Sequence, residues 1–164
     1  MSIRMILFDV FGTVFDMSSL PKEDIKHYVN HVKADVWKPL ELPEDWWNLK
    51  AHPDAAEGIR RLREHFTVAT LSNGPVDLLV WLSKQNGIDW DWIVPIQMEY
   101  TYKPHRAAYL TVFQCFKFDP SQILLVTANP TFGDIEGAAS VGMKSQVIRQ
   151  PGCPQTIIEL SEVL

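Results

Sequence analysis

The apolar positions of the chain fall into short dense runs separated by stretches with helical spacing. Ile3 to Phe8, Phe66 to Leu71 and Ile123 to Thr127 are runs of apolar and β-branched residues, broken only by Arg4. Runs of this length bounded by turn residues predict strands buried on both faces. Trp92-Ile93-Val94-Pro95-Ile96 predicts a short edge strand, because Pro95 brings no ladder donor, and Gln146-Val147-Ile148 predicts a fifth strand. Between the runs the apolar period lengthens. From Pro21 toward Val36, with Ser18 and Ser19 as cap candidates, Ile25, Tyr28, Val29, Val32 and Val36 recur at helical spacing. Further helices are expected from Pro53, with Ala56, Ile59, Leu62 and Phe66 on one face, and over 76–85, stopped by Asn86-Gly87. Three more are expected over 104–116, over a small-residue stretch at 133–141, and over 157–164. Strands alternating with helices predict an α/β fold, a doubly wound parallel sheet.

One segment departs from this rhythm. Pro39, Pro43 and Pro53 interrupt the pattern around the Trp-rich piece Asp45-Trp46-Trp47. Residues 17–52 are therefore expected to form a small helical cap inserted into a core made of 1–16 and 53–164. Trp46 and Trp47 read first as the hydrophobic plug of that cap, and otherwise as ligand contacts. A chain of 164 residues suits one domain with such an insertion.

Charge narrows the partners. The net charge is -5 and the basic residues are scattered, which argues against a nucleic-acid surface. The apolar runs are far shorter than the roughly 20 residues of a membrane span, and the amino terminus has no signal-peptide layout. Cys115 and Cys153 have neither metal spacing nor a disulfide framework, and Cys115 reads as a helix core residue, so a cytoplasmic protein is expected. His27 and His31 lie one helical turn apart without a third ligand nearby and read as exposed residues rather than a metal pair.

The chemistry concentrates where strands end. Parallel strands share one carboxyl-terminal edge, so Asp9, Ser72-Asn73, Lys103, Asn129 and Asp134 are expected to meet in a single crevice. Each has a physical task there. Asp9 is a nucleophile once ordered, Lys103 keeps it ionised, Ser72 and Asn73 offer donors, and Asp134 can orient a water. Phe11, two residues after Asp9, has no proton to give. Tyr109 reads equally as a core aromatic or a site residue, and Asp134 also as a helix-capping residue.

Phe8 to Asp16, Leu71-Ser72-Asn73-Gly74, Tyr102-Lys103-Pro104 with Tyr109, and Val126 to Ala138 together resemble the haloacid dehalogenase (HAD) superfamily, and within it the type II 2-haloacid dehalogenases. The resemblance covers the core and not the cap. It implies a HAD-like Rossmannoid fold, Asp9 as nucleophile forming an aspartyl ester, and catalytic roles for Thr13, Lys103, Asn129 and Asp134. It also implies substrate contacts from Phe11, Ser72, Asn73, Tyr109 and Thr127. Such enzymes displace halide from a short 2-haloacid without metal, so no cofactor and a small carboxylate-bearing substrate are expected. Superfamily phosphatases place aspartates where this chain has Phe11 and Ala128. The alternatives are a magnesium phosphatase with Asp9 and Asp134 as Mg2+ ligands, and a non-catalytic binding protein. The spacing from Asn129 to Asp134 is longer than in the family. No arginine occurs between Arg4 and Arg60, where family dehalogenases carry one in the cap; Lys38, Trp46 and Trp47 are the candidate substitutes. Family dehalogenases are often dimers, and a shortened cap leaves a homodimer open.

Overall fold

In the computed structural model, which describes residues 2–164, strands β1 (Met5–Phe8), β4 (Thr67–Thr70), β5 (Trp92–Ile93), β6 (Ile123–Thr127) and β7 (Lys144–Val147) form one sheet in the order β5-β4-β1-β6-β7. All of its pairings are parallel. The strand order reverses direction at β1, which places a crevice beyond the carboxyl ends of β1, β4 and β6. A two-stranded antiparallel ribbon, β2 (Phe15–Asp16) with β3 (Lys50–Ala51), ties the start of the 17–52 segment to its end.

The unbroken apolar runs are explained by what covers them. Ile6, Phe8, Val68, Leu124 and Val126 face a core shared with helices α2 (Ala55–Arg63), α3 (Val76–Gln85) and α6 (Ile157–Val163). The alternate positions Met5, Leu7, Ala69, Ile123 and Leu125 face a second core with α4 (Arg106–Cys115) and α5 (Asp134–Ser140). With helices on both faces, period-two alternation vanishes. The small residues of α5 serve a particular close approach: a Cβ at Gly137 would overlap the ring of Tyr109 on α4.

Several boundaries differ from expectation. Helix α1 spans Lys22–Val32, shorter than the expected run to Val36, and its N-cap is Pro21 without a side-chain cap; Ser18 instead donates its backbone N–H to Asp16. Helix α2 begins at Ala55 and not at Pro53: residues 52–55 form a tight turn in which Ala55 N–H donates to His52 O, and the Asp54 carboxylate accepts from Arg149 and from the Ile157 backbone. Strand β7 is set by pairing with β6 and starts at Lys144. Cys115, expected in a helix core, is exposed. In the 17–52 segment, α1 is followed by a 3-10 turn, Glu44–Asn48, which buries Trp46 completely. Among the described residues no helix is long and apolar enough to cross a membrane.

Candidate active site

Asp9 leaves the end of β1 into a turn that returns the chain on itself: Gly12 holds φ +84°, a conformation unstrained only for glycine, and Gly12 N–H donates to Phe15 O. The turn brings Thr13 beside the carboxylate. Thr13 Oγ1 donates to Asp9 Oδ2 at 2.9 Å while accepting from Ala128 N–H at 2.8 Å, so the first loop is fastened to the end of β6. Two further donors reach the same oxygen, Asn129 Nδ2 at 2.7 Å and Thr127 Oγ1 at 3.3 Å. Asn129 also donates to Phe11 O at 2.8 Å, and its own N–H donates to Thr127 Oγ1 at 3.0 Å. Asp9 Oδ2 thus accepts three hydrogen bonds.

The other oxygen faces a cation. Lys103 Nζ donates to Asp9 Oδ1 at 3.0 Å and to Asp134 Oδ1 at 3.0 Å, bridging two buried carboxylates. Lys103 is in turn held by Asn73, whose Oδ1 accepts from Lys103 N–H at 2.7 Å and whose Nδ2 donates to Lys103 O at 3.0 Å. Gln97 donates to the Asn73 carbonyl at 2.6 Å, so the clamp has its own support. Tyr109 donates its hydroxyl to Asp134 Oδ1 at 3.1 Å. Its ring reaches this position through the space that Gly137 leaves open.

Burial and pairing oppose each other in this cluster. Burial pushes the Asp9 carboxyl above the ordinary range, against the pull of Lys103 and the Asn129 hydrogen bond. For Lys103 burial favours the neutral amine, but Asp134 and Asp9 outweigh it and hold the ammonium charged far above neutral pH. The hydroxyls of Tyr28 and Tyr109 are pushed up by burial and stay protonated.

A cavity of about 240 Å³ opens over this cluster. Asp9, Phe11, Asn73, Lys103, Asn129 and Asp134 line its floor. Thr13, Thr127 and Tyr109 act from behind, through the carboxylates they bond. Ser72 departs from expectation: it is buried, its Oγ accepts from Gly74 N–H at 3.1 Å, and it caps its own turn rather than lining the cavity. Phe11 packs edge-on against Trp46, with centroids 5.0 Å apart, and against Tyr28 at 6.0 Å.

The sequence marks the opposite wall only as a helix face. Met17, Ile25, Tyr28 and Val32 line it, and Lys33 stands at its rim with its Nζ 5.7 Å from the ring centroid of Phe132, which comes from the loop after β6. The signal was the Ile25-Tyr28-Val32 stripe, whose period is the same whether it faces a core or a cavity. The expected substitutes for the cap arginine lie elsewhere. Lys38 is exposed, and its carbonyl accepts from Tyr102. The cavity lining includes neither tryptophan. His27 and His31 rings are 6.5 Å apart, and among the described residues no group of three or more His, Cys, Asp or Glu could hold a metal ion.

Known proteins agree with this architecture. No protein-family model matches the chain. A haloacetate dehalogenase of Moraxella sp. (strain B) is 28% identical over 112 residues, 66% of this chain and 49% of that protein. The chain therefore spans about half the length of that curated relative. A solved L-2-haloacid dehalogenase is similar with a TM-score of 0.80 at 22% identity, over 99% of each chain. The L-2-haloacid dehalogenase of Xanthobacter autotrophicus, solved with chloropropionic acid covalently bound, is similar with a TM-score of 0.70 at 22% identity, over 93% of this chain and 79% of that one. At these identities the structural likeness is one of fold.

Proposed function

From its similarity to haloacid dehalogenases we propose that this chain is a haloacid dehalogenase-like protein of the haloacid dehalogenase superfamily, a metal-independent hydrolase that forms an ester on Asp9 and acts on a 2-haloacid. The observation that carries the reading is the unequal treatment of the two Asp9 oxygens. Oδ2 accepts from Thr13, Thr127 and Asn129, whereas Oδ1 meets only Lys103 and keeps a lone pair for attack.

Oδ1 attacks carbon 2 of the acid in line, and the carbon–halogen pair leaves as halide. Halide needs no proton, which suits Phe11 at the position beside the nucleophile. The ester carbonyl is then Oδ2, already surrounded by donors that stabilise the oxyanion formed when water adds to its carbon. The bond from that carbon to Oδ1 breaks, the 2-hydroxy acid departs with Oδ1, and Asp9 regains an oxygen from water. One proton of the water goes to the product hydroxyl and the other, through Asp134, to solvent. Asp9 and Asp134 are the carboxylates that would hold a divalent cation, and each is already paired with the Lys103 ammonium, which supports chemistry without metal.

The test is halide release from a panel of 2-haloacids with and without chelator, joined to a single turnover in 18O-labelled water. The expected result is chelator-insensitive release, with the label in the Asp9 carboxylate and not in the first-turnover product. Label found first in the product would mean direct attack by water and would end the ester mechanism. Asp9→Asn should abolish turnover while its circular dichroism stays that of the folded protein.

A further inference from the structure

Resting on that reading of Asp9, we infer that the pocket selects a 2-haloacid bearing a bulky apolar group on its reacting carbon, and that Lys33 holds the substrate carboxylate at the rim.

The first argument is space and surface. The cavity of about 240 Å³ is lined, besides the carboxylates, by Met17, Ile25, Val32 and Phe132. Water occupies roughly 30 Å³ per molecule, so a two-carbon acid would leave much of this volume to solvent pressed on apolar walls. Each methylene moved from water onto such surface gains about fourfold in affinity when fully buried. A substituent of about four carbons, or an aryl ring, is what these walls accommodate best.

The second argument is charge. Asp9, Asp134 and Lys103 together carry a formal charge of -1, and Lys103 is committed to both carboxylates. A carboxylate substrate approaching that floor is repelled unless another cation meets it. Lys33 is the other lysine in the cavity lining, exposed at its rim and oriented over Phe132 rather than engaged in an ion pair among the described residues. A substrate whose apolar group lies on the Ile25–Val32 wall, whose carbon 2 faces Asp9 and whose carboxylate turns to Lys33 satisfies all three surfaces.

Calorimetric titration of the whole chain with acetate, hexanoate and neutral hexanamide tests the pocket independently of turnover. Hexanoate should bind at least tenfold more tightly than acetate and also more tightly than hexanamide. In Lys33→Gln the preference for hexanoate over hexanamide should disappear. Ile25→Phe, whose larger side chain fills part of the cavity, should reduce the hexanoate-to-acetate ratio. Equal binding of acetate and hexanoate, or an undiminished hexanoate-over-hexanamide preference in Lys33→Gln, overturns the inference. Halide release separates the two levels: kcat/KM for 2-bromohexanoate should exceed that for 2-bromopropanoate, which reacts at the same kind of secondary carbon, at least tenfold. Equal values would sink the selectivity and leave the ester chemistry standing. Absence of halide release with the binding order intact would remove the dehalogenase reading and leave a pocket for apolar carboxylates.

Discussion

The two walls of the pocket are built on different physical terms. On the strand-end wall the charged and hydroxyl groups are engaged by partners from other loops: Asp9 by four donors, Lys103 by two carboxylates and a two-point amide clamp, Asp134 by Lys103 and Tyr109. On the facing wall, from the 17–52 segment, Met17, Ile25 and Val32 meet the cavity with apolar surface, Tyr28 adds one buried hydroxyl, and Lys33 a single rim charge. A saturated polar network fixes atoms in place, because breaking any one bond strands a buried partner. An apolar wall contributes surface without fixing direction. The first arrangement suits bond making, the second selection by size, and substitutions on the two walls should therefore fail in different ways.

The largest effect is expected at the centre of the network. Lys103→Met leaves two buried carboxylates facing each other without a counter-charge, which typically destabilises by about 3–5 kcal/mol. Activity should fall by roughly 10³-fold or more, since neither attack by an ionised Asp9 nor its alignment survives. Denaturant unfolding and halide-release kinetics check both. If Lys103→Met were as stable as the parent and merely slow, the ammonium would not be what holds the two carboxylates together.

Asn129→Ala should cost less, about 10²-fold in kcat, the usual effect of removing one oxyanion donor. It also releases Phe11 O, so the first loop should loosen. The pH profile sharpens the point. Burial already raises the Asp9 carboxyl above its ordinary value, so kcat/KM should fall on the acid side with a midpoint above the normal aspartate range. Because the Asn129 hydrogen bond favours the ionised form, its loss should move that midpoint further up. An unchanged midpoint in Asn129→Ala would mean the limb belongs to another group.

The same contrast explains what the sequence reveals. Strand ends are legible because apolar runs locate β1, β4 and β6, and parallel topology then dictates that Asp9, Asn73 and Asn129 share an edge. Lys103 and Asp134 follow from the same topology, although the loop before Asp134 is long. The roles behind the floor are less legible. That Asn73 grips Lys103 through its amide, or that Ser72 caps a turn, depends on rotamers that no spacing encodes. The facing wall was hidden for a different reason. Ile25, Tyr28 and Val32 have the period of any buried helix face, and whether such a face meets a core or a cavity depends on how the 17–52 segment settles over the sheet. Lys33, one residue beyond α1, carries no local signature at all.

Tyr28 is where the division can be tested with the smallest change. Its ring packs 6.0 Å from Phe11 and 5.2 Å from Trp46, and burial holds its hydroxyl neutral. Tyr28→Phe keeps the ring and its packing while removing the hydroxyl that reaches across the cavity to the Asn73 side chain. If that wall only selects, kcat should stay within about threefold, with the change confined to KM and to the relative rates of small and large acids. Tyr28→Ala, by contrast, opens a hole worth about 3–5 kcal/mol and should loosen the contact between α1 and the first loop. A hundredfold fall in kcat for Tyr28→Phe at unchanged stability would place its hydroxyl among the groups that touch the reacting atoms. Chemistry would then be shared across the cavity, and the separation of a bond-making wall from a selecting wall would fail.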